Sequence, residues 1–178
     1  MIDPVRELKV RAEILHGRID ERDPAALKRL RALPEHRRAT DEALVAAAPD
    51  VQRKHCLAVV ARELGFDGWP HALRVLGQEA GEAATADDFG TALYTRGCAA
   101  YLNHWYVDYA EARALREEIG GYLLAYKRQF LIVARPFIET LGLDPDDPDW
   151  AALGYDWARP RDPAARRRLY GKLLAAQA

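Results

Sequence analysis

Through the first third of the chain apolar side chains recur at three- and four-residue intervals, the period of helices that bury one face. Val5, Leu8, Ala12, Leu15 and Ile19 form one such stripe, opened by Asp3 as N-cap and Pro4 at the first helical position. Asp23-Pro24 repeats the device ahead of Leu27, Leu30 and Leu33, and Pro34 ends that segment. Thr40 is predicted to cap "DEALVAAA", which Pro49 interrupts. Asp50 is then predicted to cap "VQRKHCLAVVAREL", with Leu57, Val60, Ala61 and Leu64 on one face and Gly65 as a left-handed stop. A brief helix, "WPHALRVLG", follows.

The pattern changes after residue 78. "QEAGEAATADD" is small, acidic and without periodicity, which marks 79–88 as a linker between a helical module, 1–78, and a second part, 89–178. That second part opens with "AAYLNHWYVDY", dense in aromatics and read as extended, and then "YAEARALREEIGG" is helical up to its double glycine. "YLLAYKRQFLIV" alternates as a strand does, which would set Tyr122, Leu124, Tyr126, Phe130 and Ile132 on one face. A helix over the same residues is the competing reading, because short apolar runs are ambiguous by period alone. "RPFIETLGL" returns to helix, and "DPAARRRLYGKLLAA" closes the chain with Ala165, Leu169 and Leu173 inward. The expected fold is mainly α: a helical module followed by a small α+β part with two or three short extended segments, the two parts able to share a core.

Composition narrows the classes of function. No apolar run approaches the roughly 20 residues that cross a bilayer, and the charged start "MIDPVRELKV" does not read as a secretory signal, so the expectation is a cytoplasmic protein without a membrane partner. Twenty-six Lys and Arg against 27 Asp and Glu give a net charge of -1, so nucleic acid is disfavoured as a partner. The run Arg166, Arg167, Arg168 reads as a solvated helix face. Cys56 and Cys98 suit free thiols, and Cys98 a buried, inert one rather than a nucleophile served by His104.

The densest candidate chemistry is "LDPDDPDWAALGYDW", with Asp144, Asp146, Asp147, Asp149 and Asp156. Counted as an EF-hand from Asp144, it puts Pro148 at position 5, Asp149 at position 6 and Tyr155 at position 12, so the calcium template fails where geometry matters. Asp-Pro occurs five times in the chain, at 3, 23, 144, 147 and 162, which favours helix initiation. Trp150 and Trp157 are expected on one buried side, and Asp156, between Tyr155 and Trp157, is expected to need a cationic partner such as Arg128 or Arg159. The five histidines show no HExxH or zinc-finger spacing, and no GxGxxG, GxxxxGK[ST] or GxSxG occurs, so no metal or cofactor is expected.

Amphipathic aromatics without a complete catalytic set point to binding. The expected function is that of an intracellular accessory protein meeting a protein partner or small ligand through Trp105, Tyr109, Tyr126 and Arg128, with a homo-oligomer left open. The alternative is an enzyme, hydrolase or transferase, using His104 and Asp156 as base and acid with or without a divalent metal.

"HCLAVVARELGFDGWPHALRVL", with Ala61, Leu64, Gly65, Phe66, Trp69 and Leu73, resembles the small helical segment that precedes ankyrin repeats in bacterial ankyrin-repeat proteins. It is also similar to helical extensions beside some glyoxalase-superfamily domains. The specific stretch is 57–76, and no ankyrin repeat or glyoxalase metal residue follows. The resemblance implies a helical packing module for protein contacts and assigns no catalytic residue. The C-terminal half resembles no characterised family.

Overall fold

A computed structural model describes residues 3–77 and 88–176, so the expected linker, apart from Asp88, lies outside the described residues. The fold is mainly α with one small three-stranded antiparallel sheet. Two compact units are present: Val5–Leu73, and Met1–Pro4 together with Arg74–Ala178.

The first unit is all helix. Helix α1 (Pro4–Asp20) buries the whole predicted stripe, Val5, Leu8, Ala12, Leu15 and Ile19. In α2 (Pro24–Arg29) the Asp23 side chain accepts the Ala25 N–H at 2.8 Å, and Leu27, Leu30 and Leu33 are buried as the spacing requires. Thr40 caps α3 (Asp41–Ala47) by accepting the Ala43 N–H at 3.3 Å. The next cap differs from the expectation. Asp50 belongs to a single 3-10 turn, 48–50, and α4 (Arg53–Glu63) starts two residues later, where the Gln52 N–H donates to His55 Nδ1 at 3.0 Å. Its buried face is correspondingly rotated to Cys56, Val59, Val60 and Ala61, leaving Leu57 and Leu64 half-buried. Gly65, at φ +77°, ends α4 with its N–H on Arg62 O and the Phe66 N–H on Ala61 O, the paired bonds that close a helix through a left-handed residue. Helix α5 is Trp69–Leu76.

The second unit is built round the sheet. Strand β1 (His104–Tyr106) is followed by α6 (Tyr109–Ile119), capped by Asp108 through the Glu111 N–H and stopped at Gly120. The expected single strand over 122–133 is instead a hairpin of β2 (Tyr122–Tyr126) and β3 (Gln129–Val133), in sheet order β1-β3-β2. Register corrects the predicted face. Tyr122, Leu124 and Tyr126 share one side with Leu131, Val133 and Trp105, whereas Phe130 and Ile132 share the other with Leu123, Ala125, His104 and Tyr106. The two-residue turn Lys127-Arg128 carries no Gly or Asn, yet Lys127 sits at φ +52°. Backbone bonds from a distant segment hold it there: Phe89 N–H to Lys127 O at 2.9 Å and Lys127 N–H to Gly90 O at 2.8 Å.

Helix α6 lies over the Leu123 side, where Phe89, Ala112, Leu123, Ala125 and Ala158 form a core with Tyr106, Tyr109 and Phe130 against it. Helices α7 (Arg135–Thr140), α8 (Pro148–Ala152) and α9 (Pro163–Ala176) complete the unit. Trp150 and Trp157 are buried with ring centroids 5.6 Å apart, and each stacks onward, to Tyr122 at 4.9 Å and to Tyr170 at 4.7 Å.

Candidate functional site

The acidic loop resolves into caps and ion pairs. Asp147 caps α8 by accepting the Asp149 N–H at 3.0 Å, Asp144 accepts the Asp146 N–H at 2.9 Å, and Asp162 accepts the Ala164 N–H at 2.9 Å at the start of α9. The remaining charge is neutralised locally. Arg135 makes two parallel bonds of 2.6 Å to Asp146, and buried Asp149 takes Arg168 at 2.6 Å and Lys172 at 2.8 Å. Desolvation works to raise the Asp149 pKa, but bonds from Arg168 and Lys172 outweigh it and hold the carboxyl below its ordinary value. Among the described residues no group of three or more His, Cys, Asp or Glu gathers as a metal site would require.

The basic run of α9 is not a solvated face. Arg166 is buried and donates to Trp157 O at 3.0 Å, Arg167 pairs with Asp3, and Arg168 bridges Asp149 and Asp162. Of the three, only Arg168 reaches α8, through Asp149.

Asp156 is set apart from the other acids by its place in the fold. The loop carrying it docks on the free edge of β2: Leu123 N–H donates to Tyr155 O and Trp157 N–H to Leu123 O, both at 2.9 Å. Asp156 therefore joins the row Leu123, Ile132, His104 that crosses the sheet on the α6 side. One carboxylate oxygen accepts the Arg159 N–H at 2.9 Å, and the other accepts a short bond from the Tyr109 hydroxyl. The Arg159 guanidinium lies over the Tyr109 ring, 4.0 Å from its centroid. Burial first, then the hydrogen bond and charge of Asp156, push the Tyr109 phenol up to about 12. It stays neutral and a donor throughout the physiological range.

His104 and Asp156 do not meet. Two strands stand between them in the row, and at about 4.8 Å per strand spacing their backbones are roughly 14 Å apart. The aromatic set also divides. Trp105, 39% exposed, and half-buried Tyr126 pack on Tyr94 with centroids 5.4 and 5.3 Å away, on the side of the sheet opposite Tyr109. Arg128 is exposed at the hairpin tip and is not the partner of Asp156. Cys98 is buried in the turn 96–100, its Sγ 3.4 Å from Thr95 Oγ1, while His104 is exposed on β1.

Two concavities adjoin α6. One is a cleft of about 510 Å³ at the end of the sheet, with Leu102, Ile119 and Ile132 as apolar walls and His104, Arg116 and Tyr155 as polar ones. The other, about 140 Å³, lies between α6 and the loop 153–161 and is faced by Tyr109, Arg113, Arg116, Asp156, Arg159 and Arg161. Arg113 and Arg116 were not among the residues expected from sequence, although spacings of four and seven from Tyr109 put all three on one helix face. In the first unit an apolar groove of about 520 Å³ runs past Leu33, Leu57 and Trp69.

Fold and site together define a mainly helical chain with a small three-stranded sheet, in which Tyr109, Asp156 and a set of arginines gather between α6 and the loop 153–161. Comparison with family profiles, curated proteins and solved structures returns no match.

Proposed function

We propose that the chain is a binding protein, an accessory or interaction factor whose second unit takes up a small ligand in the cleft at the end of the sheet. The observation that carries this is the 510 Å³ cleft, within the usual range for ligand pockets, with apolar walls and a few convergent polar groups. His104, Arg116 and Tyr155 orient the ligand; Leu102, Ile119 and Ile132 take its apolar surface. A catalytic role for His104 with Asp156 draws no support from a separation of roughly 14 Å, because acid–base partners act within hydrogen-bond reach. Two buried thiols, Cys56 and Cys98, support a reducing, cytoplasmic setting. For the first unit, the likeness of 57–76 to helical packing segments is part of the same proposal.

A second reading has its own support: Trp105 is partly exposed on an edge strand flanked by exposed Leu102 and Val107, which suits a protein partner reaching Trp105, Tyr126 and Arg128. A thermal-shift screen of the full chain against small aromatic and aliphatic acids separates the two. Ala134→Trp fills the cleft and abolishes the stabilisation by hits, while Trp105→Ala leaves it in place. Hits that survive Ala134→Trp but vanish in Trp105→Ala move the function to the aromatic edge.

A further inference from the structure

We propose that the smaller cavity between α6 and the loop 153–161 is a binding site for a phosphate monoester dianion carried by a small molecule. It is distinct from the ligand cleft, sharing only Arg116 with it.

Four guanidiniums and two carboxylates face this cavity, a surplus of two positive charges. One pair is internal: Arg113 bonds Glu117 at 2.9 Å. Asp156 has both oxygens engaged, by the Tyr109 hydroxyl and the Arg159 backbone N–H. Among the described residues Arg116, Arg159 and Arg161 make no ion pair with any carboxylate. This is unlike the paired arginines of the α8–α9 region.

These three are nevertheless held in place. Arg159 lies on the Tyr109 ring, Arg116 lies 5.1 Å above the Tyr155 ring, and Arg116 Nε donates to Gly121 O at 3.3 Å. The Arg161 stem crosses Gly154, where a Cβ would come within 3.0 Å of Arg161 Cδ; glycine is also needed there for φ +76°. Stacking fixes a guanidinium plane while leaving its N–H groups for an acceptor, so less side-chain entropy remains to be lost when an anion arrives. A cavity of about 140 Å³ is below the roughly 300 Å³ where pockets for drug-sized ligands begin, and suits a single headgroup. Forked donors match the oxygens of a phosphate, and the double surplus of charge selects a dianion over a singly charged diester.

The test is calorimetric titration of the full chain with phenyl phosphate, with dimethyl phosphate as the singly charged diester. Phenyl phosphate binds saturably, and dimethyl phosphate at least about tenfold more weakly. Arg159→Gln/Arg161→Gln lowers phenyl phosphate affinity at least about tenfold, whereas Arg18→Gln, on α1 in the other unit, changes it less than about twofold. Should the glutamine pair fail to fold, Arg159→Lys/Arg161→Lys keeps the charge and loses the fork, and affinity drops about threefold or more. No saturation by about 10 mM phenyl phosphate, equal binding of the diester, or equal loss in Arg18→Gln overturns the proposal. Ala134→Trp, which fills the cleft and lies outside the smaller cavity, leaves phenyl phosphate binding intact and so keeps this outcome separate from that of the cleft.

Discussion

The α8–α9 region and the cavity under α6 contain the same kinds of side chain and use them in opposite ways. Around α8, Asp146, Asp147 and Asp149 each have a basic partner within 2.8 Å, and the cations that serve them, Arg135, Arg168 and Lys172, have no charge to spare. Under α6, Arg116, Arg159 and Arg161 lean on aromatic rings or bare backbone and, apart from the Arg116 Nε bond to Gly121 O, keep their donors. A cluster of charge is structural where acids and bases balance locally. It points to a ligand where one sign is left over on side chains already fixed in position.

The sharpest way to break this contrast is in the core that supports both regions. Trp157→Ala removes a fully buried ring in contact with Trp150 and Tyr170, and should cost about 3–5 kcal/mol in chemical denaturation. A cost under about 1 kcal/mol would mean that the loop carrying Asp156 is not anchored as described. Next comes the balanced region. Asp149→Ala leaves Arg168 and Lys172 without their shared acceptor and should cost about 1–3 kcal/mol. Because the folded-state pKa of Asp149 is depressed, its contribution is present above about pH 4, the ordinary value for Asp, and disappears as pH falls through the lower folded value. Asp149→Asn should therefore flatten the acid limb of the stability profile, and an unchanged limb would show the pairs to be idle.

A smaller effect lies beside the cavity. Tyr109→Phe deletes the donor to Asp156 and should cost about 1 kcal/mol. The phenol, raised to about 12, stabilises the fold below pH 10 and loses that contribution as pH climbs from the ordinary tyrosine value toward 12. Burial also holds the Tyr122 and Tyr170 phenols above the ordinary value, so ultraviolet titration should show a late group of tyrosines, of which one moves earlier in Asp156→Asn. Smallest of all, Arg128→Gln at the exposed hairpin tip should change stability by less than about 0.5 kcal/mol.

Local signals were legible in the sequence, and convergent ones were not. The stripe Val5, Leu8, Ala12, Leu15, Ile19, the Asp-Pro starts of α2, α8 and α9 and the Gly65 stop are each set by neighbours within a few residues, and each appears in the fold, whereas Asp144-Pro145 opens only a turn. The hairpin was hidden because Lys127-Arg128 lacks turn chemistry of its own and takes its shape from Phe89 and Gly90, nearly 40 positions earlier. Asp156 stood out for its aromatic neighbours, but its phenol donor, Tyr109, was grouped by proximity with Trp105, which the sheet places on its other side. Arg116, Arg159 and Arg161 become a set only when the loop 153–161 docks on β2 beside α6.

The most direct measurement is the thermal midpoint of the full chain with and without about 10 mM phenyl phosphate, in wild type and in Arg159→Gln/Arg161→Gln. Uncommitted guanidiniums predict a rise of about 3 °C in wild type and less than about 1 °C in the double variant. Equal rises in both, or none in either, would contradict the claim that the surplus charge under α6 is there for a ligand.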